Sequence, residues 1–539
     1  MSLRLRLQLG PAILVLLVLL LSLEVTARAA AKKKLFQDDA AILFSGEFVP
    51  ELKIEIDQAG LDILRANSSN RNNAPNRPDA IATVREGTNI FRGVAVHLKG
   101  SAGSFRGLDS KPAFTLHFDH TYATQRFHGL EKIHLNNSVQ DPTFMCEILG
   151  RIIFNATTVP APRAGHATVT LNGEPLGLYV LLEGANKQFL KRHFKNVEGN
   201  YYEGAFRGDI TSYLEAKSGA HPDDHSDLDA LIAAAREPDL ERRFAAMSRV
   251  LDVDRFATFL ALEILLGHWD GYSLHENNYR IFHDNISGRL IFMPHGMDQL
   301  FGLRRREMDA SILPSMSGLV AAAFMETRSG RRLYLNRMAE LHTNVFNVSM
   351  LTAHVDKLAK LLRPILRADD DFESRVSFLR SRLAERSEEI GRQLAEMRTP
   401  KFDDRGEANL ANLSFNVGRR DFFRGGRGRW GTSGGEFSRY SGSPRAILFL
   451  ESGRYLFQAR IHAEIEGRPV STNAVTLTSS AARETRRAKP AGGWVIVQHE
   501  FTLIEPDYVE LGYQFGALDG LAAFDKSSLK LIRLPTARP

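Results

Sequence analysis

Residues 267–302 read GHWDGYSLHENNYRIFHDNISGRLIFMPHGMDQLFG, and the fold turns on how that stretch is parsed. NYRIFH and RLIFMP are strand-length apolar runs around the turn DNISG, which spells a hairpin. Asp270 stands in a loop before the hairpin, Asn278 at its mouth and Asp298 beyond its second strand. Upstream, DVDRFATFLALEILLG predicts a helix. Asp252 or Asp254 can cap it, Phe256, Phe259, Leu260 and Ile264 share one face, and Gly267 ends it. The order is therefore helix, loop with Asp, hairpin, Asp. The two aspartates are either a metal and proton-transfer apparatus or ordinary loop punctuation, since Asp and Asn crowd turns.

Working outward, PELKIEI, GVAVHLKG and PAFTLHFD alternate apolar and polar residues with the period of half-buried strands. KGSAGSFRGLDSK, rich in Gly and Ser, separates the last two. RANSSNRNNAPNRPDA is a solvated loop by composition. In HATVTLNGEPLGLYVLLEG, Asn172-Gly173 between alternating runs predicts a second hairpin. Its second strand delivers Glu183, and ANKQFLKRHF follows as a helix. TFMCEILGRIIF is another helix, with Cys146 as a buried small hydrophobe; Asp141, ahead of Pro142, is placed to cap it.

The chain of 539 residues is too long for one core, so several domains are expected. A net charge of +6 is too mild to imply nucleic acid as a partner. With a single cysteine, no intrachain disulfide can form. Arg4 and Arg6 precede the apolar run AILVLLVLLLSLEV and a small-residue stretch. That is the order of a secretory signal, read as cleaved rather than retained as an anchor because the run is shorter than the about 20 apolar residues a spanning helix needs. No membrane association is expected once it is removed.

Phosphoryl transfer from a nucleotide needs a cation for the phosphates, oxygen ligands for Mg²⁺, and an Asp to orient the attacking hydroxyl. Mg²⁺ takes hard oxygen donors, which Asp and Asn supply. A loop Asp, a following Asn, a hairpin and a metal Asp is the protein-kinase order. Asp270, Asn278 and Asp298 reproduce it, although three such residues alone carry little specificity.

The ordered segments from about residue 48 to residue 302 resemble the CotH family, spore-coat and cell-surface proteins with an atypical protein-kinase-like fold. LKGSAGSFRGLDSKPAFTLHF resembles the family's Arg-Gly-Asn-Ser-Ser segment with its following Lys and strand. KIHLNNSVQDPTFMCEILGRIIF and TLNGEPLGLYVLLEG resemble its helix and hairpin, and LLGHWDGYSLHENNYRIF its catalytic loop. FMPHGMDQLFG takes the place of its Trp-Asp-x-Asp motif. The resemblance implies Asp270 as the hydroxyl-orienting residue, and Asn278 and Asp298 as Mg²⁺ ligands. It implies Lys111 as the phosphate lysine and Glu183 as the acid that positions it. Lys99, beside a Gly/Ser loop whose amides can receive phosphate, competes with Lys111. The plainer reading is a solvated strand-end Lys111 and an exposed helix-start Glu183. One departure stands out: His295-Gly296-Met297-Asp298 lacks the first carboxylate of the motif. His295 is read as a packing or hydrogen-bonding residue, because Mg²⁺ favours oxygen over imidazole.

The implied fold class is α+β. A kinase-like bilobal domain (48–345) follows a signal (1–31) and a linker (32–47). A helical extension (346–398), a linker (399–409) and an all-β, jelly-roll-like sandwich (410–539) complete it. In the sandwich, Trp430, Trp494 and Tyr513 are either a sugar-stacking platform or core rings. RRDFFRGGRGRWGTSGG is read as a loop. The leading expectation is a secreted, extracellular or cell-surface (or periplasmic) kinase. It would use ATP with Mg²⁺, or Mn²⁺ in its place, on Ser or Thr of protein substrates. The rival is a silent pseudokinase that serves as a surface structural or adhesion protein, with a carbohydrate or surface partner for the sandwich. No nucleophile elbow or zinc helix motif supports a hydrolase.

Overall fold

The alternating strands of the first half close on themselves. The computed structural model describes residues 38–66, 77–101, 103–303, 310–397, 399–411, 445–465, 468–469, 475–480, 486–491, 494–515 and 521–535. Among these, seven strands form a closed barrel: β1 (Glu51–Ile56), β2 (Ala80–Glu86), β3 (Asn89–Lys99), β4 (Ala113–His117), β5 (Lys132–Asn136), β6 (Ala164–Leu171) and β7 (Glu174–Glu183). Neighbours around it run β1-β2-β3-β4-β5-β7-β6. All are antiparallel except β1 and β6, which close the barrel in parallel with Leu52 opposite Val169. Val84, Val96, Phe114, Leu116, Ile133, Val169 and Leu181 fill its interior. Asn172 and Gly173 turn between β6 and β7 with φ of 49° and 90°, the left-handed geometry a two-residue hairpin loop demands.

Two segments depart from expectation. The 32–47 stretch, read as a linker, contains a 3-10 turn at Asp39–Phe44, and its Leu43 is buried in the barrel core. A helix at Gln58–Ala66, anchored by Leu64, precedes the Asn-rich tract, whose residues 67–76 lie outside the described residues. The signal (1–31), the Arg/Gly-rich stretch and Trp430 also lie outside them. Among the described residues no helix is long and apolar enough to cross a membrane.

Two compact units emerge: one holds the residues up to Asn137 with Ala164–Gly184, the other holds Ser138–Arg163 and the residues from Ala185 onward. The second unit contains a four-stranded antiparallel sheet with order β11-β10-β8-β9. Its strands are β8 (Tyr201–Glu203), β9 (Glu215–Ser218), β10 (Tyr279–Asp284) and β11 (Arg289–Pro294). The helix Val253–Leu265 is buried on every side from Phe256 to Leu265, as an apolar helix without a polar stripe must be. Phe256 and Phe259 pack on Phe292 of β11, with ring centroids 4.9 and 5.9 Å apart. Arg386, buried in the helix Phe372–Glu396, donates to the Ile264 and Leu265 carbonyls at 2.8 and 3.2 Å. That places a cation on the helix C-terminus, where the end carbonyls and the dipole favour it.

Helices Val348–Leu362 and Phe372–Glu396 occupy the segment read as a helical extension. After them the chain forms two antiparallel sheets. Leu448, Leu477 and Val509 of one share a core with Tyr455, Phe457, Phe501 and Leu531 of the other. The strand Glu407–Asn409 pairs with Leu521–Leu534, so the end of the segment read as a second linker belongs to this sandwich. The side chains of Trp494 and Tyr513 lie outside the described residues. The architecture is mixed α/β, with twelve helices among the described residues.

Candidate functional site

The β10–β11 hairpin does the assembling. Tyr279 pairs with Pro294, Ile281 with Phe292 and Asp284 with Arg289. Asn278 just before β10 therefore faces His295 just after β11, and the His295 amide donates to the Asn278 carbonyl at 2.9 Å. Residues far apart in sequence become neighbours because a hairpin's two open ends always are.

Asn278 then reaches back to the preceding loop. Its Nδ2 donates to the Asp270 carbonyl at 2.9 Å and to Asp270 Oδ2 at 3.0 Å. Its own backbone is left-handed, φ 51°, as is that of Glu276, φ 53°. Asn enters that region readily, whereas Glu276 is held there as the cap of the Tyr272–His275 turn, its amide donating to the Tyr272 carbonyl at 3.1 Å. Rings pin both ends of this loop: Tyr272 and Tyr279 pack against Phe292 at 4.9 and 6.0 Å. Their hydroxyls donate to Asp209 Oδ1 at 3.0 Å and to the Gly208 carbonyl at 2.8 Å.

Gly296, with φ 54°, lies against the other side of the Asn278 amide. A Cβ there would stand 2.3 Å from Asn278 Oδ1, so only glycine fits this arrangement. The next amide, of Met297, donates to Glu147 Oε1 at 3.1 Å. Glu147 is buried in an ion pair with Arg151, 2.8 Å apart. Part-buried Asp298 follows. Its carboxylate lies close enough to Cys146 to act on it: burial, then the charges of Asp141 and Asp298, push the thiol well up. Asp141 is wholly buried and accepts from the Cys146 and Thr143 amides at 2.8 and 2.9 Å. Its role is to cap the entry to the Cys146–Asn155 helix, and burial raises its pKa. Trp269 packs edge-on to His275, centroids 5.3 Å apart.

Asp270, Asn278 and the Asp298 turn are thus brought into one neighbourhood. Among the described residues no three His, Cys, Asp or Glu side chains gather in a metal-holding group. A cation here would draw on two carboxylates and the Asn278 amide oxygen, all hard donors of the kind Mg²⁺ prefers.

The remaining candidates belong to the barrel unit. Lys99 ends β3, and its ammonium bonds Asn136 Oδ1. Asn137 holds the Gly/Ser loop to the same end of the barrel, donating to the Ser104 and Lys111 carbonyls at 3.0 and 2.8 Å. The Lys111 ammonium sits 5.1 Å from the Tyr179 ring centroid. Burial lowers its pKa to about 8. Glu183 is the buried last residue of β7, not an exposed helix start. It pairs with Ile133, whereas Phe114, three residues after Lys111, pairs with Leu135. The register places Lys111 and Glu183 at opposite ends of β5, while Lys99 and Lys111 share one end.

A family model described as CotH kinase protein matches residues 96–397, more than half of the chain. The chain belongs to the CotH kinase protein family. It is 21% identical over 266 residues to inner spore coat protein H of Bacillus subtilis (strain 168), covering 46% of this chain and 72% of that protein. Invasin CotH2 of Rhizopus delemar (strain RA 99-880) is 22% identical over 264 residues, covering 44% of each chain. Spore coat protein homolog 1 of the same fungus is 21% identical, covering 44% of this chain and 42% of its own. This CotH protein therefore spans less than half the length of those two fungal relatives.

The matched segment contains every candidate: Lys99, Lys111, Glu183, Asp270, Asn278 and Asp298. Three further residues escaped sequence reading. Glu263 and Glu147 are acidic residues inside apolar helices, and that interruption was the available signal. Gly296 was visible only as a departure from the family motif; that it must be glycine arises from the Asn278 amide across the hairpin mouth.

Proposed function

We propose that this CotH protein is a secreted or cell-surface atypical protein kinase with a kinase-like bilobal fold. It would transfer the terminal phosphoryl group of ATP to Ser or Thr of surface or extracellular proteins. The observation that carries the reading is the Asn278 amide: its nitrogen is spent on Asp270, and its oxygen remains as a hard donor on the side of the Asp298 turn. Asn278 and Asp298 would hold Mg²⁺. That ion supplies neutralisation of the charge building on the phosphate oxygens. Asp270 orients the acceptor hydroxyl and takes its proton as the new oxygen–phosphorus bond forms and the bond to the departing ADP oxygen breaks. Lys111, or Lys99 in its place, offers a cation for the nucleotide phosphates. The names of the relatives, spore coat protein and invasin, support a surface location.

The test is autophosphorylation of the purified chain with labelled ATP and Mg²⁺. Asp270→Ala should lower transfer by about 10²–10⁴-fold, and Asp298→Ala should abolish Mg²⁺-dependent nucleotide binding, both with melting behaviour near wild type. Transfer that survives Asp270→Ala undiminished removes the assignment. One observation favours a second reading, a silent surface scaffold. Gly296 stands where the family motif has its first carboxylate, and the Asn278 amide leaves no room for a side chain. That reading requires that ATP with Mg²⁺ leave the melting temperature unmoved.

A further inference from the structure

Glu263 is a carboxylate with no exposure to solvent, in the last turn of a helix whose other residues from Phe259 to Leu265 are all apolar. Burying it costs free energy unless its oxygens are satisfied, and the hydrogen bonds they accept come from the loop that follows Asp270. Glu263 Oε1 accepts from the Tyr272 amide at 3.0 Å, and Oε2 accepts from the Ser273 amide at 2.8 Å and from the Ser273 hydroxyl. Gly271 is pressed against it: a Cβ there would stand 2.4 Å from Glu263 Oε1 and 3.1 Å from His268 Cδ2. His268, also wholly buried, returns its amide to the Glu263 carbonyl at 2.8 Å. Its Nε2 donates to the His295 carbonyl at 3.1 Å, three residues before Asp298. One acidic side chain therefore grips the backbone immediately after Asp270, and the histidine packed beside it grips the turn that carries Asp298.

We propose that Glu263 is a positioning residue, which through the Tyr272 and Ser273 amides and through His268 fixes the Asp270 loop relative to the Asp298 turn. This rests on the kinase reading of those aspartates. Glu263 touches neither nucleotide nor acceptor. Its effect is on geometry, and displacing a reacting group by about 1 Å can cost on the order of 10² in rate. A carboxylate suits the position because its two oxygens accept several N–H and O–H donors at once. Glutamine has the same shape but turns an NH₂ toward one of those donors.

The experiment uses the full chain and two readouts. For Glu263→Gln, kcat for phosphoryl transfer should fall at least about ten-fold while KM for ATP–Mg²⁺ stays within about two-fold. Hydrogen exchange at the Tyr272 and Ser273 amides should accelerate while the amides of the Val253–Leu265 helix stay protected. Ser273→Ala, which removes one donor and leaves the charge, should shift both in the same direction by less. It serves alone if the Gln variant does not fold. An unchanged kcat overturns the proposal, and so does exchange that accelerates throughout the helix, which marks a merely structural glutamate. If the wild-type chain transfers no phosphoryl group, it is the kinase reading that fails. Exchange at Tyr272 and Ser273 then decides by itself whether Glu263 holds this loop.

Discussion

At the scale of the residue, Lys111 offers the sharpest consequence. Its ordinary pKa of 10.5 falls to about 8 because its ammonium is partly withdrawn from water. Below that pH the side chain is a cation, and phosphates, which bring it negative charge, favour that form. Above it the cation is lost while the phosphates stay ionised. On the proposed kinase reading, ATP–Mg²⁺ affinity should therefore weaken as pH rises from 7 to 9, by up to about ten-fold at the upper end. Titrations across that range would show it. Lys111→Met should flatten the profile and Lys99→Met should preserve it; a flat wild-type profile would remove Lys111 from the phosphate role. Titration of Lys111 does not itself destabilise the fold over this range. A lysine with a depressed folded pKa binds fewer protons folded than unfolded between about 8 and its ordinary value, so its contribution to stability rises with pH there. Asp270, Asn278 and Asp298 were readable as candidates because polar residues punctuating apolar elements show their positions directly. The placement of Glu183 was not, since strand register decides it and no single residue encodes register.

At the scale of the element, local chemistry and long-range pairing part company. Asp252 caps the Val253–Leu265 helix by accepting from the Arg255 amide at 3.1 Å. Asp252→Ala should cost about 1 kcal/mol and lower the melting temperature by about 2–4 °C. Activity per folded molecule should be unchanged, because the Glu263 end of the helix keeps its grip on the loop. Calorimetry beside the transfer assay checks both halves, and a stability loss within error would show the cap to be redundant. This helix, the Asn172-Gly173 hairpin and the β10–β11 hairpin were all legible, since each is specified by residues within a short window. Barrel closure was not. The parallel pairing of β1 with β6 joins Leu52 to Val169, and nothing near either residue announces the other. The Gln58–Ala66 helix was missed for a different reason: it is nine residues long and packs only Gly60, Leu61 and Leu64 on the barrel, shorter than the window over which a helical period is read.

At the scale of the whole molecule, the sandwich is joined to the second unit's helices by more than the covalent chain. Arg328, Arg331 and Arg332 stand at the start of the Arg328–Asn344 helix and meet Asp507, Glu510 and Glu505 of the sandwich. Exposed ion pairs are worth little individually. The Arg331–Glu510 pair is different, because both side chains are only 16% exposed and stand 3.3 Å apart. Reversing either charge alone leaves two like charges facing each other with little water between them. Arg331→Glu and Glu510→Arg should each lower the melting temperature and speed proteolysis of the 399–406 segment. The double exchange should recover most of the loss, with a coupling of about 0.5–3 kcal/mol in the mutant cycle. Additive losses would mean that the pair does not hold the contact. Recovery would mean that charge complementarity orients the sandwich on the Arg328–Asn344 helix, within the unit that also carries Asp270.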